Sequence, residues 1–426
     1  MSNKTQGRRS RIVVVNDFSQ ARGGATGLAL RSASLLAQRG YEVVLLCGDE
    51  GRNEALEQEG VRIFGAGGVH LLHSRTRTAL VDGLYHVKAA RFVRQWIQTH
   101  GRSNDVYHLH GWSKILSPAI FHALKPVESR LVLHAHDFFL ACPNGAFWDY
   151  QTEEVCSLVP LSSACLQRNC DRRSYAQKLW RVARAGLREQ LLASSRTSPE
   201  ILLIHPKMEH FFLRSGVPQS RLTVLRNPAS PFCDKPVSAA QNKKFVFFGR
   251  LDAEKGPLEL AKAARQAGVP LMVVGEGPLE GAIRSAYPGA ELVGWKERAE
   301  LPDFAAQARV LVMPSKYPEP FGLVAVEALG AGIPVVAADS AFLADEIVAA
   351  GAGRAVSVAD QDGFASILRE LAADDVELAR MSERALEIAP RMAKDDESWC
   401  DGLVEAYGRV SSSSDFMISV PGALAV

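Results

Sequence analysis

The chain has 426 residues, of which 47% are hydrophobic and 23% charged. That length is too great for one ordinary core and the balance is that of a soluble globular protein, so two large domains or three small ones are expected. No apolar run is long enough to span a bilayer, and the opening MSNKTQGRRS lacks a signal peptide's apolar segment, which excludes membrane-spanning classes and predicts a cytoplasmic protein.

In chain order, short β-branched runs alternate with helical stretches. RIVVVND (11–17), YEVVLLC (41–47), DVYHLHG (105–111), RLVLHAHD (130–137), ILLIH (201–205) and RLTVLRN (221–227) read as strands of a first domain, about residues 1–228. Continuous apolar strands separated by helices predict a parallel sheet covered on both faces, with ligands met at the strands' carboxyl ends. After the first strand, Gly23 and Gly24 open a helix whose amides can approach a phosphate. The spacing is not the GxGxxG of a dinucleotide fingerprint, and a plain glycine-rich turn is the other reading.

Strand alternation puts His108 with His110, and His134 with His136, on single faces of two strands. Such a cluster fits a bound metal, as in a metal-dependent hydrolase, or strand-end polar residues facing a cleft. Four of the seven cysteines, Cys142, Cys156, Cys165 and Cys170, fall in an insertion at about 138–172. Their spacing is not that of a zinc ribbon, so a structural zinc site and scattered buried thiols stand as equal readings. In RRSYAQKLWRVARAGLREQLL (172–192), Lys178, Arg181, Arg184 and Arg188 fall near one face. A basic amphipathic helix with a tryptophan suits an anionic membrane surface, or else is a packed helix with a solvated basic side. The charge distribution leans toward an anionic partner, because the net +2 divides into +12 over residues 1–230 and −10 over 231–426. No helix-turn-helix, zinc-finger or RNA-recognition signature supports nucleic acid.

NPASPFCDKPVSAAQNKK (227–244) reads as a linker. The strand series then restarts with FVFFGRL (245–251), PLMVVGEG (270–277), AELVGW (290–295), ARVLVMPS (308–315), PVVAADS (334–340) and RAVSV (354–358), giving a second domain at about 245–395. The tail, 413–426, is expected to be disordered.

The second half carries a pair of acids in YPEPFGLVAVEALGAGIPVV. Glu319 lies in a loop at a strand's carboxyl end, and Glu327 lies along the helix that follows. Pro320 suits that helix's first turn, which would leave the amides of Phe321, Gly322 and Leu323 free for an anion or hydroxyl. Acids flanking phosphate-binding amides fit a nucleotide sugar, whose hydroxyls lie on either side of a diphosphate. A capping acid and an unrelated helix-surface acid fit equally. Arg250 and Lys255, in GRLDAEKG, can hold a diphosphate and offset the charge it gains as a leaving group, or belong to a solvated loop.

Taken together and in order, from about residue 11 to 395, these motifs resemble the retaining glycosyltransferases of the GT-B fold, family four. The family's E-x7-E runs from Glu319 to Glu327, with Phe321, Gly322, Leu323, Gly332 and Pro334 in place. Its G-R-L…E-K-G falls at Gly249–Leu251 and Glu254–Gly256, its G-x-G-P at Gly275–Pro278, and its early Gly-Gly at Gly23–Gly24.

The resemblance implies two facing doubly wound Rossmann-like domains, with a last helix (396–412) returning to the first. It implies that Glu319 contacts the donor sugar, Glu327 the ribose, and Arg250 with Lys255 the diphosphate, with Gly275 and Trp295 in the same donor set. His110 matches the family's strand-end histidine near the reacting sugar; Asp137 and His136 are acceptor candidates. The implied activity is transfer with retention from a UDP- or GDP-sugar to a saccharide or lipid-linked acceptor, in cell-surface or extracellular polysaccharide synthesis. It would need no catalytic metal and would work in the cytoplasm or at the membrane's inner face. A non-catalytic nucleotide-sugar-binding protein is a further alternative.

Overall fold

The computed structural model describes residues 10–21, 23–71, 76–193 and 198–411, so the expected disordered tail lies outside the described residues. The chain forms two parallel sheets with flanking helices. The first sheet contains β1 (Arg11–Asn16), β2 (Glu42–Cys47), β3 (Arg62–Gly65), β4 (Val106–Leu109) and β5 (Leu131–Ala135). A two-stranded antiparallel hairpin, β6 (Trp148–Asp149) with β7 (Glu154–Val155), follows before β8 (Glu200–Leu203) and β9 (Leu222–Val224) complete that sheet in the order β3-β2-β1-β4-β5-β8-β9. The second sheet has β10 (Lys244–Phe248), β11 (Leu271–Val274), β12 (Glu291–Gly294), β13 (Ala308–Met313), β14 (Val335–Ala338) and β15 (Gly353–Val356), ordered β12-β11-β10-β13-β14-β15.

Sequence explains this layering. Every residue of β1 and β13 is buried, as expected of strands covered on both faces. Fully burying each Val or Ile in such a run contributes about 1.5–3 kcal/mol against the conformational entropy of ordering it. In each sheet the strand order reverses beside the first strand, between β1 and β4 and between β10 and β13. Those are the points where open α/β sheets leave a crevice at the strands' carboxyl ends. The residues that emerge there are Asn16–Asp17 and His110 in one sheet, Gly249–Arg250 and Ser315 in the other.

The chain divides into two compact units whose limits differ from a simple halving. One unit runs to Gly145, resumes at Leu158–Leu225, and takes in the helix Asp396–Val410. The other contains Ala146–Ser157 and Arg226–Asp395. The Cys-rich insertion is therefore split, with its hairpin grouped in the second unit. The stretch read as a linker is also bonded within that unit. The Phe232 amide donates to the Glu327 carbonyl at 3.1 Å, and the Val237 amide to the Ala331 carbonyl at 2.8 Å. Proline and serine marked irregular backbone there correctly, but irregular is not unattached.

Candidate active site

In the second unit the motif acids and cations gather around Glu319. Its Oε2 accepts from Ser315 Oγ at 2.9 Å and Tyr317 OH at 2.7 Å, and pairs with Lys255 Nζ. Lys255 also donates to Tyr317 OH at 2.8 Å. Burial pushes the Glu319 carboxyl up, but the Lys255 charge and the three donors outweigh it and hold it below the usual carboxylate range. Burial beside that carboxylate drives the Tyr317 phenol well up, so it stays a protonated donor. The two loops meet so closely because Gly256 lacks a side chain. Its φ is +70°, and a Cβ there would sit 2.1 Å from the Pro314 carbonyl oxygen. Gly275 has the same kind of role, since a Cβ would fall 1.9 Å from the Gly249 carbonyl oxygen.

The helix bearing Glu327 runs Leu323–Gly330, not from Pro320. Gly322 adopts the left-handed conformation (φ +69°) and caps it, so Pro320 and Phe321 precede the helix and the first-turn amides belong to Leu323, Val324 and Ala325. Phe321 is buried, and Leu323 is half-buried. Glu327 is buried rather than on the helix surface, and it pairs with Arg298. Arg250 points outward, its side chain 65% exposed, beside Asp252 at 2.5 Å. Trp295 is 55% exposed, its amide on Glu276 Oε1 at 3.3 Å. Sequence reading missed Ser315, Tyr317 and Arg298. The first two were within reach, since they lie four and two positions before Glu319 in the same loop.

In the first unit, Gly23 caps the helix Gly24–Gln38 with φ +98°. The four histidines form one ladder. His136 Nε2 lies 2.9 Å from His110 Nδ1, His110 Nε2 lies 3.1 Å from His108 Nδ1, and His108 Nε2 lies 3.2 Å from His134 Nδ1. Tyr407 OH meets His108 Nδ1 at 2.8 Å. Burial draws His108 and His136 down to about 3 and His110 and His134 well below their usual range, so all four rings are neutral at neutral pH. A cavity of 70 Å³ beside the ladder is lined by Asp17, His110, Lys114, His136 and Asp137, among others. Asp137 is pushed up to about 6 by its surroundings, despite accepting from the Phe139 amide at 2.8 Å. Asp17, absent from the sequence reading, accepts from the amides of Lys114, Ile115 and Leu116 at 2.8–2.9 Å.

The basic helix corrects an expectation. In Tyr175–Ala193 the cationic side faces inward: Lys178, Arg184 and Arg188 are buried, whereas Leu179 is exposed. Arg184 donates to the carbonyls of Gly83 and Ser113 at 2.8 and 2.7 Å and stacks over Trp112 and Trp180. Arg188 bonds the Phe139 carbonyl, and Arg181 pairs with Asp171 at 2.8 Å. The helix therefore offers no basic face to a membrane. Lys178 Nζ sits 3.4 and 3.2 Å from Cys165 and Cys170 Sγ. Cys142, Cys165 and Cys170 are buried thiols and Cys156 is half-buried. Among the described residues, the group of three side chains spaced for one metal ion is not these cysteines but His108, His110 and His134.

Comparison with known proteins agrees with this geometry. Residues 233–387 match the family model for glycosyl transferases group 1, and residues 23–228 the glycosyl transferase 4-like domain. Between them the two models take in most of the chain, which belongs to the GT-B glycosyltransferases of the family-four type. Glycogen synthase of Mycobacterium tuberculosis is 26% identical over 272 residues, 60% of this chain and 63% of its own. An exopolysaccharide phosphotransferase of Streptomyces coelicolor is 28% identical over 313 residues, 69% of this chain and 31% of its own. The chain thus spans less than two thirds of the length of these curated relatives. Among solved structures, Anabaena HepE in complex with UDP superposes with a TM-score of 0.65 at 19% identity, covering 93% of this chain and 99% of that one. Sucrose-phosphate synthase from Thermosynechococcus elongatus gives 0.68 at 17%, covering 94% and 99%. Both matching family models are of glycosyl transferases, and neither is of the metal-dependent hydrolases that the histidines alone allowed. No described helix is long and apolar enough to cross a membrane.

Proposed function

We propose that this protein transfers a sugar, with retention, from a UDP- or GDP-sugar to a saccharide or lipid-linked acceptor in polysaccharide synthesis, working in the cytoplasm. The observation that carries the reading is the Lys255–Glu319 pair with Tyr317 and Ser315 at the switch point of the second sheet. A half-buried, ionised carboxylate held by three donors is positioned to accept hydrogen bonds from sugar hydroxyls. Lys255 and the outward-facing Arg250 supply positive charge where a diphosphate departs. Glu327 holds the ribose. Asp137 and His136 contact the acceptor, and His110 lies near the reacting sugar. As the sugar–phosphate bond breaks, the acceptor oxygen bonds the anomeric carbon on the same face. Its proton passes to the leaving phosphate oxygen, so no side-chain base is needed. Relatives named for exopolysaccharide and phosphatidylinositol mannoside synthesis support the acceptor class, and a neighbour named for UDP-glucose supports the donor.

The test is a thermal-shift screen of UDP-, GDP-, ADP- and CMP-sugars, followed by nucleoside diphosphate release with and without acceptor. Stabilisation by a UDP- or GDP-sugar and acceptor-dependent release are expected. Binding without release would make the chain a non-catalytic binding protein.

A further inference from the structure

The histidine ladder has a bookkeeping problem that hydrogen bonding does not solve. Four neutral imidazoles carry one N–H and one lone pair each. Three ring-to-ring contacts use three of each and six of the eight nitrogens. The two left over, His134 Nε2 and His136 Nδ1, are buried without a partner. When the three contacts run in one direction, one end is a stranded N–H and the other a stranded lone pair. An unsatisfied buried group of this kind costs about 1–3 kcal/mol.

We propose that His108, His110 and His134 bind one divalent transition ion of the zinc class. One nitrogen from each of the three rings lies within 4.8 Å of the others. Tetrahedral bonds of about 2.0–2.1 Å set ligand nitrogens roughly 3.3 Å apart, close to the 3.1 Å between His110 Nε2 and His108 Nδ1. The backbone builds this spacing. β4 and β5 are parallel neighbours, and the register that pairs Leu109 with Leu133 carries His110 and His134 to the same level. Three neutral nitrogens with no oxygen ligand select zinc, nickel, cobalt or copper over magnesium or calcium. His136, 2.9 Å from His110 Nδ1, holds that ring by its other nitrogen, as outer partners of metal-bound histidines do. Occupancy would withdraw His110 from the sugar. The ion is therefore an inhibitor of transfer, a consequence that rests on the transferase reading, whereas the binding itself does not.

The full chain, stripped with chelator and dialysed against cobalt(II), tests this. One equivalent is expected, with visible bands of four-coordinate cobalt and no thiolate-to-cobalt charge transfer in the near ultraviolet. H134N and H108N, checked for folding by circular dichroism, should each lose at least tenfold in affinity. If either fails to fold, paramagnetically shifted imidazole N–H signals in the proton NMR spectrum of cobalt-loaded wild type must still appear. Thiolate charge transfer, or no stoichiometric uptake, overturns the site and in the first case moves the metal to the cysteines. With zinc, nucleoside diphosphate release should fall in wild type and not in H134N. Binding without inhibition leaves the site standing and refutes the role given to His110.

Discussion

Two clusters at the carboxyl ends of parallel strands keep polar side chains out of water by opposite means. Around Glu319 the second unit keeps the charge and surrounds it, with a cation and two hydroxyls on one oxygen. Around His108 the first unit discards the charge, and burial leaves a ladder of neutral rings. The first solution fixes an ionised group in one geometry, which suits a developing transition-state charge. The second keeps neutral lone pairs, which suits a metal ion. The two should fail differently when disturbed.

The largest effect is expected at Lys255. Removing it by Lys255→Ala should cut turnover roughly a hundredfold or more. It should also cost about 2 kcal/mol of stability, because Glu319 is left without its counter-ion. Denaturant titration of K255A against the double variant K255M/E319Q separates the two effects. The double variant should recover the stability and not the activity. Arg250→Ala should lose activity with almost no loss of stability, since that side chain is exposed; equal destabilisation of the two single variants would break the contrast.

The histidine side is sharpened by acid. His108 titrates near 3 in the folded chain, against about 6.5 when unfolded. Between those values the unfolded chain holds more protons, so stability falls as pH drops through 6.5. At pH 5 that amounts to roughly 2 kcal/mol for this ring alone. Calorimetry from pH 7.5 to 5 should show the loss in the unit that contains the ladder, and H108N should lessen it by about this ring's share. A pH-independent melt would mean that the rings do not stay neutral.

Next come the two acids. Glu327→Ala should weaken free nucleoside diphosphate binding about tenfold, on the order of 1.4 kcal/mol. Glu319→Ala should leave that affinity within about twofold while lowering turnover further. Isothermal titration beside steady-state kinetics checks the division, and indistinguishable affinities would undo it. The last contrast lies within the inward-facing basic helix. Arg184→Gln should cost about 2 kcal/mol by stranding two carbonyls, whereas Leu179→Ser on the exposed side should stay within about 0.5 kcal/mol. Neither should change sedimentation with anionic vesicles.

Much of this was legible in order along the chain. Continuous apolar runs located most of the sheet strands, because burial on both faces leaves no polar residue to blur the pattern. β3 escaped since, as a short edge strand, it is only partly buried. The helix after Glu319 begins three residues later than Pro320 suggested because Gly322 takes a left-handed turn that no local pattern demanded. Helical periodicity found the cationic face of Tyr175–Ala193 but not its direction. That depended on carbonyls of Gly83 and Ser113, about seventy to a hundred positions away. Arg298 on Glu327 was invisible for the same reason, as a partner set by tertiary structure. The histidines were seen as pairs, and only strand register could join the pairs.

The hairpin at 146–157 gives the molecule an unusual kind of modularity. Because that segment sorts with one unit while its flanks sort with the other, and the last helix returns, the chain passes from unit to unit at 145/146, 157/158, 225/226 and 395/396. No single cut in the gene yields either unit whole. A fragment ending near residue 228 would lack the closing helix with Tyr407, and its complement would lack the hairpin. Recombining such enzymes to exchange donor for acceptor preference therefore requires transplanting discontinuous segments together, and a one-point crossover should give insoluble halves.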